Sequence, residues 1–134
     1  ARSYFGPGEV NALDRLAPEI RERRFHEYWT LKEAYIKARG MELSIALDQF
    51  CFDLDTDGAI GLTIDASLDD HESNWNFWSA IVAERFLIAL CCQRHDPCTQ
   101  EVIVRECIPL VSHRGKAVPS STLRTSRLLV ESVA

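Results

Sequence analysis

Apolar positions in residues 18–40 recur at helical spacing, whereas those of residues 50–93 gather in short runs of β-branched and aromatic residues. The first pattern predicts a long helix: Pro18 suits its first turn, Gly40 its end, and no Gly or Pro interrupts the residues between. A shorter helix precedes it in "FGPGEVNALDRL", where Pro7 suits a first turn and Val10, Leu13 and Leu16 follow one face. "MELSIALDQ" reads as a connecting loop. "FCFDL" and "AIGLTI" predict two strands around "DTDG", whose Asp57-Gly58 step favours a hairpin turn. "WNFWSAIVA", "RFLIALCCQ" and "EVIVRECIPL" predict three more. From His113 the chain becomes rich in Ser, Thr and Arg, and its last stretch, "SRLLVESVA", is weakly helical. The expected class is α+β, with N-terminal helices (one long) packed on an antiparallel sheet of about three to five strands. Residues 1–112 would form the folded unit and 113–134 a polar, partly helical tail.

Composition narrows the function. With 46% hydrophobic and 26% charged residues, the chain falls among globular proteins. Its net charge is −5 and no Lys/Arg block stands out, which argues against a nucleic-acid partner. The longest apolar-rich stretch, "FWSAIVAERFLIALCC", is broken by Glu84 and Arg85, so no membrane span is expected. Five cysteines, an odd number, favour reduced thiols and a cytoplasmic location. No signal-peptide pattern opens the chain, and it starts at Ala1 instead of Met, the mark expected of a fragment or processed product.

The long helix carries the informative chemistry. His26, Thr30 and Lys37 fall within about 60° of Glu33 around the helix, forming one narrow polar stripe. Phe25, Trp29 and Ile36 border it on one side. Two readings stay open at this level. Glu33 and Lys37 form either an ordinary exposed i,i+4 pair, worth a few tenths of a kcal/mol, or the rim of a cleft. In a cleft the carboxylate would hold a hard cation and the lysine would contact phosphate oxygens.

The run "Y-W-T-L-K-E-A-Y-I-K-A-R-G" closely resembles the W-[ST]-x-K-E-[AS]-x-x-K signature of the 4′-phosphopantetheinyl transferases. "YFGPGEVNAL" before it, and "W…FW" with "RFLIAL" after it, are similar to the larger, surfactin-synthetase-activator type. The resemblance covers residues 3 to 92 or so and implies one half of that family's pseudo-twofold fold. It also implies a reaction: transfer of the 4′-phosphopantetheine arm of coenzyme A to a serine of an acyl or peptidyl carrier protein, releasing adenosine 3′,5′-bisphosphate. By the same resemblance, Glu33 would be a Mg²⁺ ligand and a base for the serine proton. Lys37 would contact the phosphates, Lys32 would help bind coenzyme A, and Trp29 would pack the helix. Arg23, Arg24 and Arg39 would attract an acidic carrier.

One departure is large. The family's Asp-x-Glu metal motif, set in a Gly-hydrophobic-Asp-hydrophobic-Glu strand, occurs nowhere in the chain. The expectation is therefore a C-terminal half that completes its site with a missing N-terminal half or a second copy. The alternative is an inactive fragment or binding module that dimerises or docks a partner through the exposed half-interface. Other motifs carry less. "DDHE" (Asp70 to Glu72) reads as a solvated loop. "DLDTDGAI" begins like a calcium loop but has Ile64 where a bidentate Glu belongs. In "CCQRHDPC", Cys91 and Cys92 would point to opposite faces of a strand, which disfavours a zinc site with His95 and Cys98.

Overall fold

The computed structural model describes residues 4–40, 47–54, 58–95, 102–107, 110, 116–117 and 120–126. Helix α1 spans Pro7–Asp14 and helix α2 spans Pro18–Ala38, both with proline in the first turn, where a missing N–H costs nothing. The side chain of Glu9 accepts the Gly6 N–H at 3.0 Å, closing the start of α1. At the other end of α1, the Arg21 guanidinium donates to the carbonyls of Leu13 and Leu16 at 3.0 and 2.9 Å. The Leu13 carbonyl, in the last turn of α1, also accepts the Leu16 N–H at 3.1 Å, and Leu16 lies just beyond the helix. Gly40, at φ 65, ends α2 in the left-handed conformation that glycine adopts without strain.

Among the described residues seven strands follow: β1 Phe50–Asp53, β2 Ala59–Ile64, β3 Trp75–Val82, β4 Phe86–Gln93, β5 Arg105–Glu106, β6 Lys116–Ala117 and β7 Ser120–Ser126. The main sheet has the order β1-β2-β7-β3-β4. Its ladders are antiparallel except between β2 and β7, which run parallel with Ala59 opposite Thr125. The α+β class holds, as do the four strands expected between residues 50 and 93. The structure corrects two details. The expected all-antiparallel sheet is mixed, because β7 enters between β2 and β3 instead of at an edge. The polar stretch after residue 112 is accordingly not a detached tail, since Ser120–Ser126 occupies the centre of the sheet. Of the stretch expected to be helical, "SRLLVESVA", Ser126 ends β7 and residues 127–134 lie outside the described residues. Among the described residues of "EVIVRECIPL", Arg105–Glu106 form a short strand that pairs with Lys116–Ala117 in a separate ribbon.

One core lies between α2 and the inner face of the sheet. Tyr28, Leu31 and Tyr35 of α2 pack with Phe50, Phe52, Trp75 and Phe77, all buried. The Tyr35 ring centroid lies 4.8 Å from that of Phe50 and 5.6 Å from that of Trp75. Aromatic contacts at these distances stabilise by about 0.5–1.5 kcal/mol each beyond area burial. On the outer face of edge strand β4, Phe86, Ile88 and Leu90 stay exposed. Among the described residues, no helix is long and apolar enough to cross a membrane.

Candidate functional site

Because Tyr28, Leu31 and Tyr35 face the sheet, the opposite side of α2 faces outward, and Glu33 and Lys37 emerge there together. Lys37 Nζ stands 3.2 Å from Glu33 Oε2, with side-chain exposures of 77% and 34%. Thr30 turns its hydroxyl back onto the carbonyls of His26 and Glu27 at 2.9 and 3.1 Å, so it presents no free donor. His26 is exposed at a groove of about 410 Å³ between the start of α2 and the β3–β4 turn, two helical turns from Glu33. Trp29 is half-buried and meets Tyr4 edge-on at 6.0 Å.

The expectation for Lys32 is corrected. Its side chain is 1% exposed and its ammonium lies 3.0 Å from Glu9 Oε2, donating also to the carbonyls of Leu47 and Phe50. With three protons and three acceptors, it has no donor left for a phosphate. The wheel carried a signal for this: Lys32 lies between Tyr28 and Phe25 around the helix, on the apolar flank and not on the stripe. Glu9, its partner, sat in a loop-and-helix segment with no chemical pattern to single it out.

Two further acidic residues went unread. Asp70, expected in a solvated loop, instead accepts from Tyr35 Oη at 2.6 Å, Trp75 Nε1 at 2.7 Å and Asn74 Nδ2 at 3.0 Å. Burial alone would raise its pKa, but these bonds and the His71 N–H outweigh it and hold the carboxyl below its ordinary range. Burial, then the bond to Asp70, pushes the Tyr35 phenol well above its own. Glu27, also buried, lies 3.0 Å from Arg24 Nε and 3.4 Å from Arg124 Nε. Arg24 and Arg39 are thus turned inward, Arg39 onto Asp70 and the Leu68 carbonyl, against the expectation that both would attract a carrier. Arg23 alone of the three is more than half exposed, at 56%.

Gly58, at φ 71, sits at the turn before β2, as the hairpin reading expects, while Asp55 and Asp57 lie outside the described residues. Cys91 is half-buried, and burial pushes its thiol up to about 12, far from the thiolate a metal requires. Cys98 lies outside the described residues. No group of three His, Cys, Asp or Glu side chains among the described residues could hold a metal ion. The Glu33 carboxylate, facing outward, is a hard oxygen donor of the kind that Mg²⁺ takes.

Known sequences agree with the motif. The profile of the 4′-phosphopantetheinyl transferase superfamily matches residues 1–91. A Synechocystis protein provisionally named 4′-phosphopantetheinyl transferase is 36% identical over 92 residues, 60% of this chain and 37% of its own. The 4′-phosphopantetheinyl transferase of Bacillus subtilis is 30% identical over 98 residues, 73% of this chain and 42% of its own. A phosphopantetheinyl transferase of Thraustochytrium is 43% identical over 54 residues, covering 40% of this chain and 18% of that one. The chain therefore spans well under half the length of these relatives. No solved structure matches it. With the matched residues running from α1 to β4 and the nine-position motif displayed on α2, the chain belongs to the 4′-phosphopantetheinyl transferase superfamily.

Proposed function

We propose that this chain supplies one side of a site that moves the phosphopantetheine arm of coenzyme A onto a serine of an acyl or peptidyl carrier protein. One observation carries the reading: Glu33 and Lys37 of the motif emerge side by side on the open face of α2. In the reaction, the serine oxygen bonds to the phosphorus that bears the pantetheine arm. The bond from that phosphorus to the bridging oxygen breaks, and adenosine 3′,5′-bisphosphate leaves. Glu33 accepts the serine proton. Lys37 neutralises the charge gathering on the departing phosphate. Releasing Lys37 from Glu33 costs little, because an exposed i,i+4 pair is worth about 0.3–0.5 kcal/mol. Mg²⁺, when bound, would neutralise the diphosphate, with Glu33 as its ligand from this chain. The other ligands come from a second structural unit, either an N-terminal half or another copy of the chain. Lys32 serves the fold instead of the phosphates. The free thiols among the described residues, Cys51, Cys91 and Cys92 half-buried and Cys107 exposed, suit a reducing, cytoplasmic setting.

Titration calorimetry with coenzyme A, with and without Mg²⁺, tests this on the chain and on Glu33→Ala and Lys37→Ala. Where a second copy completes the site, the expected result is Mg²⁺-dependent binding that weakens at least about tenfold in each variant while the circular dichroism stays unchanged; no binding by the parent assigns the other ligands to an N-terminal half. Binding as tight in both variants as in the parent would remove the proposed roles.

A further inference from the structure

Lys32 and Glu9 meet with their hydrogen-bonding capacity in full use. Besides Lys32, the Glu9 carboxylate accepts the N–H groups of Gly6 at 3.0 Å and Phe52 at 2.8 Å. Lys32 reaches the carbonyl of Phe50 at 2.7 Å and that of Leu47, and its ammonium lies 4.3 Å from the Phe50 ring centroid. The two side chains are 1% and 0% exposed. One ion pair therefore ties four segments together: the start of α1, the middle of α2, the segment at Leu47, and β1 at Phe50 and Phe52.

Packing alone does not call for this. Burying two charges costs several kcal/mol per ion, and apolar pairs of similar volume often stabilise as well or better. A fully bonded charged pair supplies direction instead. An apolar contact tolerates a roll of the helix. Turning α2 about its axis, or sliding it by part of a turn, would break bonds to three other segments at once. Lys32 directly precedes Glu33, so fixing the direction of one fixes the other about 100° around the helix, and Lys37 one turn on.

We propose that the Glu9–Lys32 pair is a positioning device for Glu33 and Lys37, setting the roll and register of α2 so that both emerge on the outward face, with Lys32 touching no phosphate. This rests on the function proposed above.

The test uses the full 134-residue chain with Glu9→Gln, Lys32→Met and the two combined. Two quantities are measured: affinity for coenzyme A with Mg²⁺, and the direction of α2 relative to β3 and β4 from residual dipolar couplings of its amides. Each single variant is expected to weaken coenzyme A about tenfold and to turn or loosen α2. The double variant should be no weaker than the worse single, because one device is broken only once. If Lys32→Met loses affinity while Glu9→Gln binds like the parent, the lysine contacts phosphate directly and the proposal falls. It falls equally if the variants bind and orient as the parent does and only melt earlier. A split site looks different: the parent chain binds no coenzyme A, because the N-terminal half supplies the other ligands. The couplings then decide alone, with an unmoved α2 refuting the device and a turned one supporting it. Where a single variant does not fold, the double variant, which buries no charge, carries the same two readouts. Parent-like orientation and affinity in it would refute the device.

Discussion

Gly6 is held where a larger residue has no room, and the consequence is measurable. A Cβ built on it would stand 2.0 Å from Cys51 Sγ, with the next atoms, Cys51 Cβ and Asp48 O, at 3.6 and 3.7 Å. The backbone is not the obstacle, because φ −69 and ψ 160 suit alanine. Gly6→Ala must therefore displace the thiol or part α1 from β1, an overpacking cost of about 1–3 kcal/mol. Alanine is also a poorer N-cap than glycine, adding about 0.5–1 kcal/mol. The sum, about 2–4 kcal/mol, lowers the melting temperature by about 3–5 °C per kcal/mol in a chain of this size. Cys51→Ala alone removes one half-buried sulfur and should cost about 1 kcal/mol. In the double variant the clash disappears, because the remaining neighbours stand at ordinary contact distance. The two substitutions should then couple favourably by about 1–3 kcal/mol. Urea unfolding of the four proteins, with the slope checked for constancy, gives the cycle directly. If Gly6→Ala costs nothing, or if Cys51→Ala fails to relieve it, α1 does not approach β1 as described. The bond from the Gly6 N–H to Glu9 would then need another explanation.

Further outcomes follow from single residues. Leu31→Ala, at a position 0% exposed, should cost about 2–5 kcal/mol in urea unfolding, and a loss under 1 kcal/mol would contradict its place in the core. Ala83 and Glu84 turn the β3–β4 hairpin at φ 50 and 59, so Glu84→Gly should raise stability by about 1 kcal/mol; a lower urea midpoint would refute the strain. Asp70 has a folded pKa depressed below its unfolded value of 3.8, so its contribution is full above that pH and is lost as pH falls through the folded value. Between pH 6 and pH 3 the parent should thus lose more stability than Asp70→Asn, and parallel losses would show the carboxylate to be unimportant.

The strands from residue 50 to residue 93 were legible because each carries enough apolar and β-branched residues to declare its face and is bounded by turn residues. β7 was not. "SSTLRTS" has one large apolar residue, and its place depends on backbone pairing with β2 and β3, partners that no local pattern names. The outward pair was legible through its spacing and its family signature. The buried acids were not, because burial reverses the rule that charge marks the surface. Lys32 shows the limit most clearly. Its family position suggested phosphate, its place on the wheel suggested the core, and only the partner on α1, far away in sequence, decides between them.

The late arrival of β7 has a consequence for how the molecule comes to exist. Ser120 must meet Val82, and Ser126 must lie beside Ile60, before the sheet is continuous. A nascent chain emerging from the ribosome has already released both helices and β1 to β4 by then. Until the strand arrives, β2 and β3 hold apart two facing edges that invite pairing with other chains. Sheet closure over such sequence separations is slow, so this is the interval in which the growing protein is most exposed to aggregation. Shielding of the edges of β2 and β3 therefore matters most in that window.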